Sequence, residues 1–172
     1  MMAYGKNQRL RFKRRRNGET DYRRRMKMLR GGFARAVVRV TNTQTICQLV
    51  NYEPTGDSVK ISIDGRTLVE KYGWPIDASR KSIPASYISG YAMAKAAIAA
   101  GHKEAVLDIG LAASTPGNRV FAALKGMVDA GMEIPYGESV LPDDDRINGS
   151  HIDDSISKAV EAAKKSIEEA SS

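Results

Sequence analysis

The chain has 172 residues, of which 42% are hydrophobic and 6% aromatic, and a formal net charge of +7, which suits one folded domain with appendages and an aliphatic core. Its single cysteine, Cys47, excludes an intramolecular disulfide and a cysteine-based zinc site. No stretch reaches the length of a membrane span, so we expect no membrane partner. The chain has only two histidines, so a metal centre would need carboxylates. We expect no metal, no cofactor and no small-molecule substrate.

The positive charge is concentrated at the N-terminus. Residues 1–39 contain 14 Lys and Arg against 2 acidic residues, a charge of +12, whereas the rest of the chain carries −5. A basic extension on a slightly acidic body predicts a polyanionic partner, because nucleic acid relieves the repulsion within the extension. The alternative is a solvated tail without a partner. An Arg-rich, acid-poor N-terminus also resembles a transit peptide, but the absence of serine before Ser58 favours the cytoplasm.

The extension divides into two parts. Residues 1–19 show no apolar periodicity, which predicts disorder in the absence of a partner. Residues 20–30 have capping signals at both ends and place Tyr22, Met26 and Leu29 on one helical face. A helix of about two turns is too short to be stable alone, so we expect this stripe to dock on the body or on RNA. We predict a basic extension over residues 1–34 and a globular domain over residues 35–172.

Three β-branched segments follow the extension. Residues 35–41 and 45–53 predict a hairpin, and residues 58–64 predict a third strand with Val59, Ile61 and Ile63 pointing inward. The predicted fold class is therefore α/β: a three-stranded antiparallel meander plus a fourth strand in a mixed sheet with packed helices. The fourth strand is expected in residues 104–110, which are nearly all apolar and predict burial on both faces.

The remaining elements are mainly helical. Residues 66–72 predict a short helix, and residues 85–101 predict a long one whose small residues, Gly90 among them, permit close packing on a sheet. A further helix is expected from Thr115, as N-cap, to Gly131. Residues 133–149 predict a long loop. A final helix is expected to begin with a capping box at Ser150 and Asp153.

Two acidic residues at predicted strand ends offer an enzymatic alternative. Asp64 and Asp108 each lie at or just before the end of a strand, and paired carboxylates in such positions can hold metals for phosphoester hydrolysis. An aspartate at the end of a strand is also an ordinary start to a turn. Without a third carboxylate at a recognisable spacing, we favour the second interpretation and predict no catalytic residue.

Basic and aromatic residues supply the binding candidates. Tyr4, Phe12, Tyr22 and Phe33 are interspersed among the cations, and unpaired RNA bases stack on such rings, although Tyr22 and Phe33 could equally belong to the core. Arg119, at the start of a predicted helix, could bind one backbone phosphate, with ordinary helix capping as the alternative. Two Arg-rich clusters, within residues 14–16 and 22–30, are treated below. The other candidates for RNA binding are Arg9, Arg11, Phe12, Lys13 and Arg119.

Several segments of this sequence resemble a known family. "KRRRNGETDYRRRMKML", "VVRVTNTQTICQLV", "AVLDIGLAASTPGNRVFAALKGMVDAGMEIPYG" and "INGSHI" occur in this order. "TDYRRR" and "DIGLAASTPGNRVFAALKG" are the most specific of them. The chain is similar to the large-subunit ribosomal protein eighteen family, whose members carry 5S ribosomal RNA, and the archaeal type is the most similar branch.

The resemblance implies a structural role without catalysis. It implies that the protein attaches 5S rRNA to the central protuberance of the large ribosomal subunit, where it contacts 5S and large-subunit rRNA beside the neighbouring 5S-binding ribosomal protein. It assigns the extension to RNA. The residues it carries over are Arg14, Arg15, Arg16, Tyr22, Arg23, Arg24, Lys27 and Arg30.

Overall fold

A four-stranded mixed sheet forms the centre of the molecule. The computed structural model describes residue 5 and residues 9–171 of the chain. The strands are β1 (Arg35–Val40), β2 (Thr45–Asn51), β3 (Ser58–Ile63) and β4 (Val106–Asp108), in the spatial order β3-β2-β1-β4. β1, β2 and β3 are antiparallel neighbours, and β4 pairs with β1 in parallel. The predicted fold class is confirmed.

One β-bulge decides which side chains of β3 reach the core. Leu49 lies opposite Ile61, but its neighbour Val50 lies opposite Val59, so Lys60 is the extra residue on β3. An extra residue reverses the alternation of side chains beyond it. The prediction that Val59 points inward is therefore wrong: Val59 is 51% exposed on the other face of the sheet, whereas Ile63 is buried.

Helices cover one face of the sheet. They are α3 (Gly65–Tyr72), α4 (Ile83–Ala99), α5 (Arg119–Asp129), α6 (Asp144–Asn148) and α7 (Asp154–Ser171). α4 begins after the N-cap Ser82 with proline in its first turn and is buried along most of its length. None of the helices in the described part of the chain is long and apolar enough to cross a bilayer.

Two glycines bring α4 and α5 into backbone contact. A Cβ atom on Gly90 would lie 2.0 Å from the carbonyl oxygen of Ala123, and one on Gly126 would lie 2.1 Å from the carbonyl oxygen of Tyr87. The small residues of α4 were expected to allow close packing on a sheet. The close approach at Gly90 is instead to a second helix.

Helix boundaries in the second half of the chain differ from the predictions. α5 is capped by the side chain of Asn118 rather than Thr115, because Gly117 adopts a φ of +69° and makes the preceding residues a turn. The predicted loop over residues 133–149 contains a 3₁₀ turn, Glu138–Val140, and α6. α7 follows Asp153, whose side chain accepts hydrogen bonds from Ser155.

β4 is shorter and less buried than the sequence predicts. It has three residues, and Val106 and Leu107 are only half-buried. β4 is an edge strand, so among residues 9–171 no strand lies beside its second edge. An apolar run therefore predicted a strand correctly but overstated its burial.

Candidate nucleic-acid interface

Two short helices lie in the part of the basic extension that the structure describes. α1 (Lys13–Arg16) is a single turn without buried residues, in a segment for which no regular structure was predicted. α2 (Tyr22–Leu29) begins at the N-cap Asp21, whose carboxylate accepts from the backbone N–H groups of Arg23 and Arg24 at 2.9 and 3.1 Å. The hydrogen bond from Arg24 is the main reason that the pKa of Asp21 is lowered.

Nearly all predicted RNA-binding residues of the extension are exposed. The centres of the Phe12 and Tyr22 rings are 5.6 Å apart, which joins the first helical turn to the second helix. Tyr22 is half-buried, and Tyr4 lies outside the described residues. The exposed candidates are Arg9, Arg11, Phe12, Lys13, Arg14, Arg15, Arg16, Arg23, Arg24, Lys27 and Arg30.

The face of α2 that meets the body differs from the predicted stripe. Tyr22, Arg25 and Leu29 are half-buried, whereas Met26 is 58% exposed. The predicted stripe of Tyr22, Met26 and Leu29 is therefore wrong at its centre. Arg25 occupies that position because its guanidinium finds a carboxylate on the body, which compensates the burial of a charge.

Two arginines attach α2 to the body. The Nη2 atom of Arg25 lies 2.7 Å from Oδ1 of Asp57, in the turn between β2 and β3. The Nη1 atom of Arg24 donates to the carbonyl oxygen of Gly110, just after β4, at 2.7 Å. Arg24 was predicted to contact RNA, and the structure places its guanidinium against the body.

Asp57 also belongs to an ion-pair network whose centre, Arg35 and Asp108, is buried. Its second oxygen lies 2.6 Å from Nη2 of Arg35, whose Nη1 lies 2.9 Å from Asp108. Arg39 lies 2.9 Å from the other oxygen of Asp108. We call Asp57, Asp108, Arg25, Arg35 and Arg39 the arginine–aspartate network. It connects α2, the β2–β3 turn, β1 and β4, and each carboxylate accepts from two guanidinium groups.

The arginines keep both carboxylates ionised. The hydrogen bond from Arg25 is the main cause that lowers the pKa of Asp57, and Arg35 adds to it. Burial would raise the pKa of Asp108, but the charge and hydrogen bond of Arg39, with hydrogen bonds from Gly110 and Arg35, outweigh burial and lower that pKa.

Asp64 and Asp108, the two aspartates of the enzymatic alternative, have structural roles. Asp108 is occupied by Arg35 and Arg39, and Asp64 caps α3 by accepting from the N–H and hydroxyl groups of Thr67. Within the described residues, no group of three or more His, Cys, Asp and Glu side chains could hold a metal ion. Neither aspartate is arranged for metal-dependent hydrolysis.

A cleft lined by five arginines and four carboxylates separates α2 from the open face of the sheet. It has a volume of about 810 Å³, and its lining includes Arg14, Arg24 and Arg39 together with the exposed side chains of Val59 and Leu111. Arg119 does not line this cleft. It is half-buried in the first turn of α5, next to the cap Asn118.

The residues that hold α2 on the body gave no distinctive signal in the sequence. Arg25 and Asp57 form the attachment of α2, although both were visible only as ordinary charged residues. Phe33 was considered as a ring for RNA, but Tyr52, which is 54% exposed, was not. An exposed aromatic residue after a strand carries no periodic signal, so only the structure could identify it.

Comparison with known proteins agrees with these features. The family described as "Ribosomal large subunit proteins 60S L5, and 50S L18" matches residues 6–103 and 99–137. Three relatives share the description large ribosomal subunit protein uL18. The one from Methanoculleus marisnigri is 50% identical over 88% of this chain and 85% of its own length. Those from Methanothermobacter thermautotrophicus and Haloferax volcanii are 48% and 44% identical over 88% of this chain, and 77% and 80% of their lengths. The predicted resemblance is confirmed: the chain belongs to this family of ribosomal large-subunit proteins and is a structural protein, not an enzyme.

Proposed function

We propose that this protein binds 5S rRNA through its basic extension and attaches it to the large ribosomal subunit at the central protuberance, in the cytoplasm. Family membership supports the ribosomal role. The observation that carries the RNA-binding role is the exposure of most cationic side chains of the extension, while α2 is attached to the body through Arg25 and Asp57.

The chemistry of the exposed residues suits RNA. Arginine donates in a planar fork that matches phosphate oxygens and also stacks on bases. Arg23, Lys27 and Arg30 lie on the side of α2 away from Asp57, so the helix can present them to phosphates without giving up its attachment. Binding would release the counterions that surround RNA and would therefore weaken as salt increases.

The body provides further partner surfaces. Its charge of −5 over residues 40–172 contrasts with the +12 of the extension, so RNA is expected mainly on the N-terminal side. We propose large-subunit rRNA as the second RNA partner. The neighbouring 5S-binding ribosomal protein and other large-subunit proteins would contact the acidic body, where α7 exposes carboxylates such as Glu161 and Glu169.

The test compares RNA affinity and its salt dependence. Wild-type protein is titrated with 5S rRNA, transfer RNA and a random RNA of equal length, in gel-shift assays from 50 to 400 mM KCl. We expect tight binding to 5S rRNA alone. Equal affinity for the three RNAs would contradict the proposal.

Charge substitutions then locate the interface. The triple variant Arg23→Gln, Lys27→Gln, Arg30→Gln should lower the slope of log affinity against log salt by about two units, since each lost phosphate contact removes about 0.7–0.9. The matched control removes three exposed lysines elsewhere, Lys71, Lys158 and Lys165. Equal losses in the two variants would show that only net charge matters.

A further inference from the structure

A second cleft lies at the C-terminal end of α2. Its volume is about 620 Å³, and its lining includes Leu29, Phe33, Tyr52, His102, Lys103 and Glu104. Four elements begin or end here: α2 ends at Leu29, β1 begins after Ala34, β2 ends at Asn51 and α4 ends at Ala99. We call it the aromatic cleft.

The two aromatic rings of this cleft face solvent. Phe33 is 48% exposed and Tyr52 is 54% exposed, although large aromatic side chains usually bury most of their surface. The core of the domain does not account for them, because the buried hydrophobic residues do not include either ring. Two exposed rings on one cleft indicate a surface that contacts another molecule.

Neighbouring elements fix the backbone of both aromatic residues. A Cβ atom on Gly31 would lie 3.0 Å from Cδ2 of Phe33, so the Phe33 ring packs over the backbone at the end of α2. Tyr52 directly follows β2, whose last residue, Asn51, pairs with Ser58. On the opposite side, the backbone N–H of His102 donates to the carbonyl of Ala97 and closes α4.

We propose that the aromatic cleft binds one unpaired nucleotide of the RNA, with its base in contact with the rings of both Phe33 and Tyr52. This inference rests on the proposed function and extends it to a specific site. Nucleobases stack on aromatic side chains, and unpaired positions are the ones a protein can reach in this way.

Continuity with α2 favours RNA as the occupant over another protein. Lys103 is exposed on the lining, with the half-buried His102 beside it, against one carboxylate from Glu104. The cleft shares Leu29 with α2, so it continues the surface that exposes Lys27 and Arg30. A nucleotide bound there would place its phosphate near Lys103 while its neighbours contact α2.

The test uses full-length protein and 5S rRNA. Phe33→Leu and Tyr52→Leu remove one ring each and retain an apolar side chain. Stacking is worth a factor of about 5 to 150 per base, so each variant should bind at least about five-fold more weakly. Because no charge is lost, the slope of log affinity against log salt should stay at the wild-type value, unlike that of the Arg23, Lys27 and Arg30 variant.

Two controls make the result specific. Tyr136→Leu removes a ring that is 44% exposed and does not line the cleft, and it should bind like wild type. Tyr52→Trp keeps a stacking surface and should retain affinity. Thermal melting shows whether each variant is folded, and Tyr52→Leu remains informative if Phe33→Leu does not fold.

The outcomes distinguish a failure of the nucleotide site in the aromatic cleft from a failure of the proposed function. If wild type binds 5S rRNA selectively but Tyr52→Leu binds equally well, the aromatic cleft is not a nucleotide site and the proposed function stands. If Tyr52→Leu and Tyr136→Leu weaken binding equally, the cleft is likewise refuted. If wild type does not prefer 5S rRNA, the proposed function fails and the inference fails with it.

Discussion

Replacing Gly90 by alanine should force apart the two helices that form the centre of the core. The added Cβ atom would lie 2.0 Å from the carbonyl oxygen of Ala123 and 2.8 Å from its carbonyl carbon. Neither atom can turn away as a side chain could, because both belong to the backbone of α5. The shortest ordinary contact of a Cβ atom is 3.4 Å, so the helices must separate by about 1.4 Å at this point.

The expected loss of stability combines two opposing effects. Overpacking a core typically costs about 1–3 kcal/mol, and a clash with backbone falls at the upper end. Alanine in place of glycine inside a helix recovers about 1 kcal/mol of helix propensity. We expect a net destabilisation of about 2 kcal/mol, which for a chain of this size lowers Tm by roughly 4–8 °C.

Thermal and urea unfolding followed by circular dichroism measure this effect. Gly137→Ala is the matched control, since Gly137 has a φ of −101° and no atom within 4 Å of an added Cβ. Gly126→Ala creates the reciprocal clash, at 2.1 Å from the carbonyl oxygen of Tyr87. Because both substitutions require the same separation of α4 and α5, the double variant should lose less than the sum. A Tm for Gly90→Ala equal to or above that of wild type would refute the close contact.

Three further predictions concern the arginine–aspartate network and Cys47. Asp57→Asn removes the carboxylate that pairs with Arg25, so hydrogen exchange with mass spectrometry should show faster exchange in α2, and unchanged exchange would contradict the attachment. The pKa values of Asp57 and Asp108 are lowered in the folded protein. The two ionised carboxylates therefore stabilise the folded protein above the unfolded pKa near 3.9, and this stabilisation is lost as pH falls through the folded pKa values. The urea midpoint of unfolding should stay level from pH 7 to 5 and fall below about pH 4. The fall should be less steep in Asp57→Asn. Cys47 is fully buried, and burial raises the pKa of its thiol to about 12. A thiol reagent at pH 8 should therefore label Cys47 only when the protein unfolds. Rapid labelling of the native protein would count against the burial of Cys47.

The helices and strands were largely predictable because their signals are local. β-branched residues marked β1, β2 and β3, and small apolar residues before a glycine marked α4, although α4 begins at Ile83, two residues before the predicted start. Boundaries were less accurate where backbone conformation intervened. Gly117 turns the chain before α5, and this shortened the predicted helix at its start.

The basic extension was also apparent from local composition. Fourteen cations against two acidic residues over residues 1–39 predict a polyanionic partner in any fold, because nucleic acid relieves the repulsion among them. Nearly all the predicted cations of the extension are exposed. Their individual RNA contacts stay predictions.

Contacts between residues far apart in the chain decided which side chains are buried, and the sequence pattern could not predict this. The bulge at Lys60 moved Val59 to the open face of the sheet, and a bulge depends on how two strands pair. Arg25 displaced Met26 from the docked face of α2 because Asp57, 32 residues later in the chain, lies opposite it. Side-chain periodicity reports which residues share a face, but which face is buried depends on the surface that packs against it.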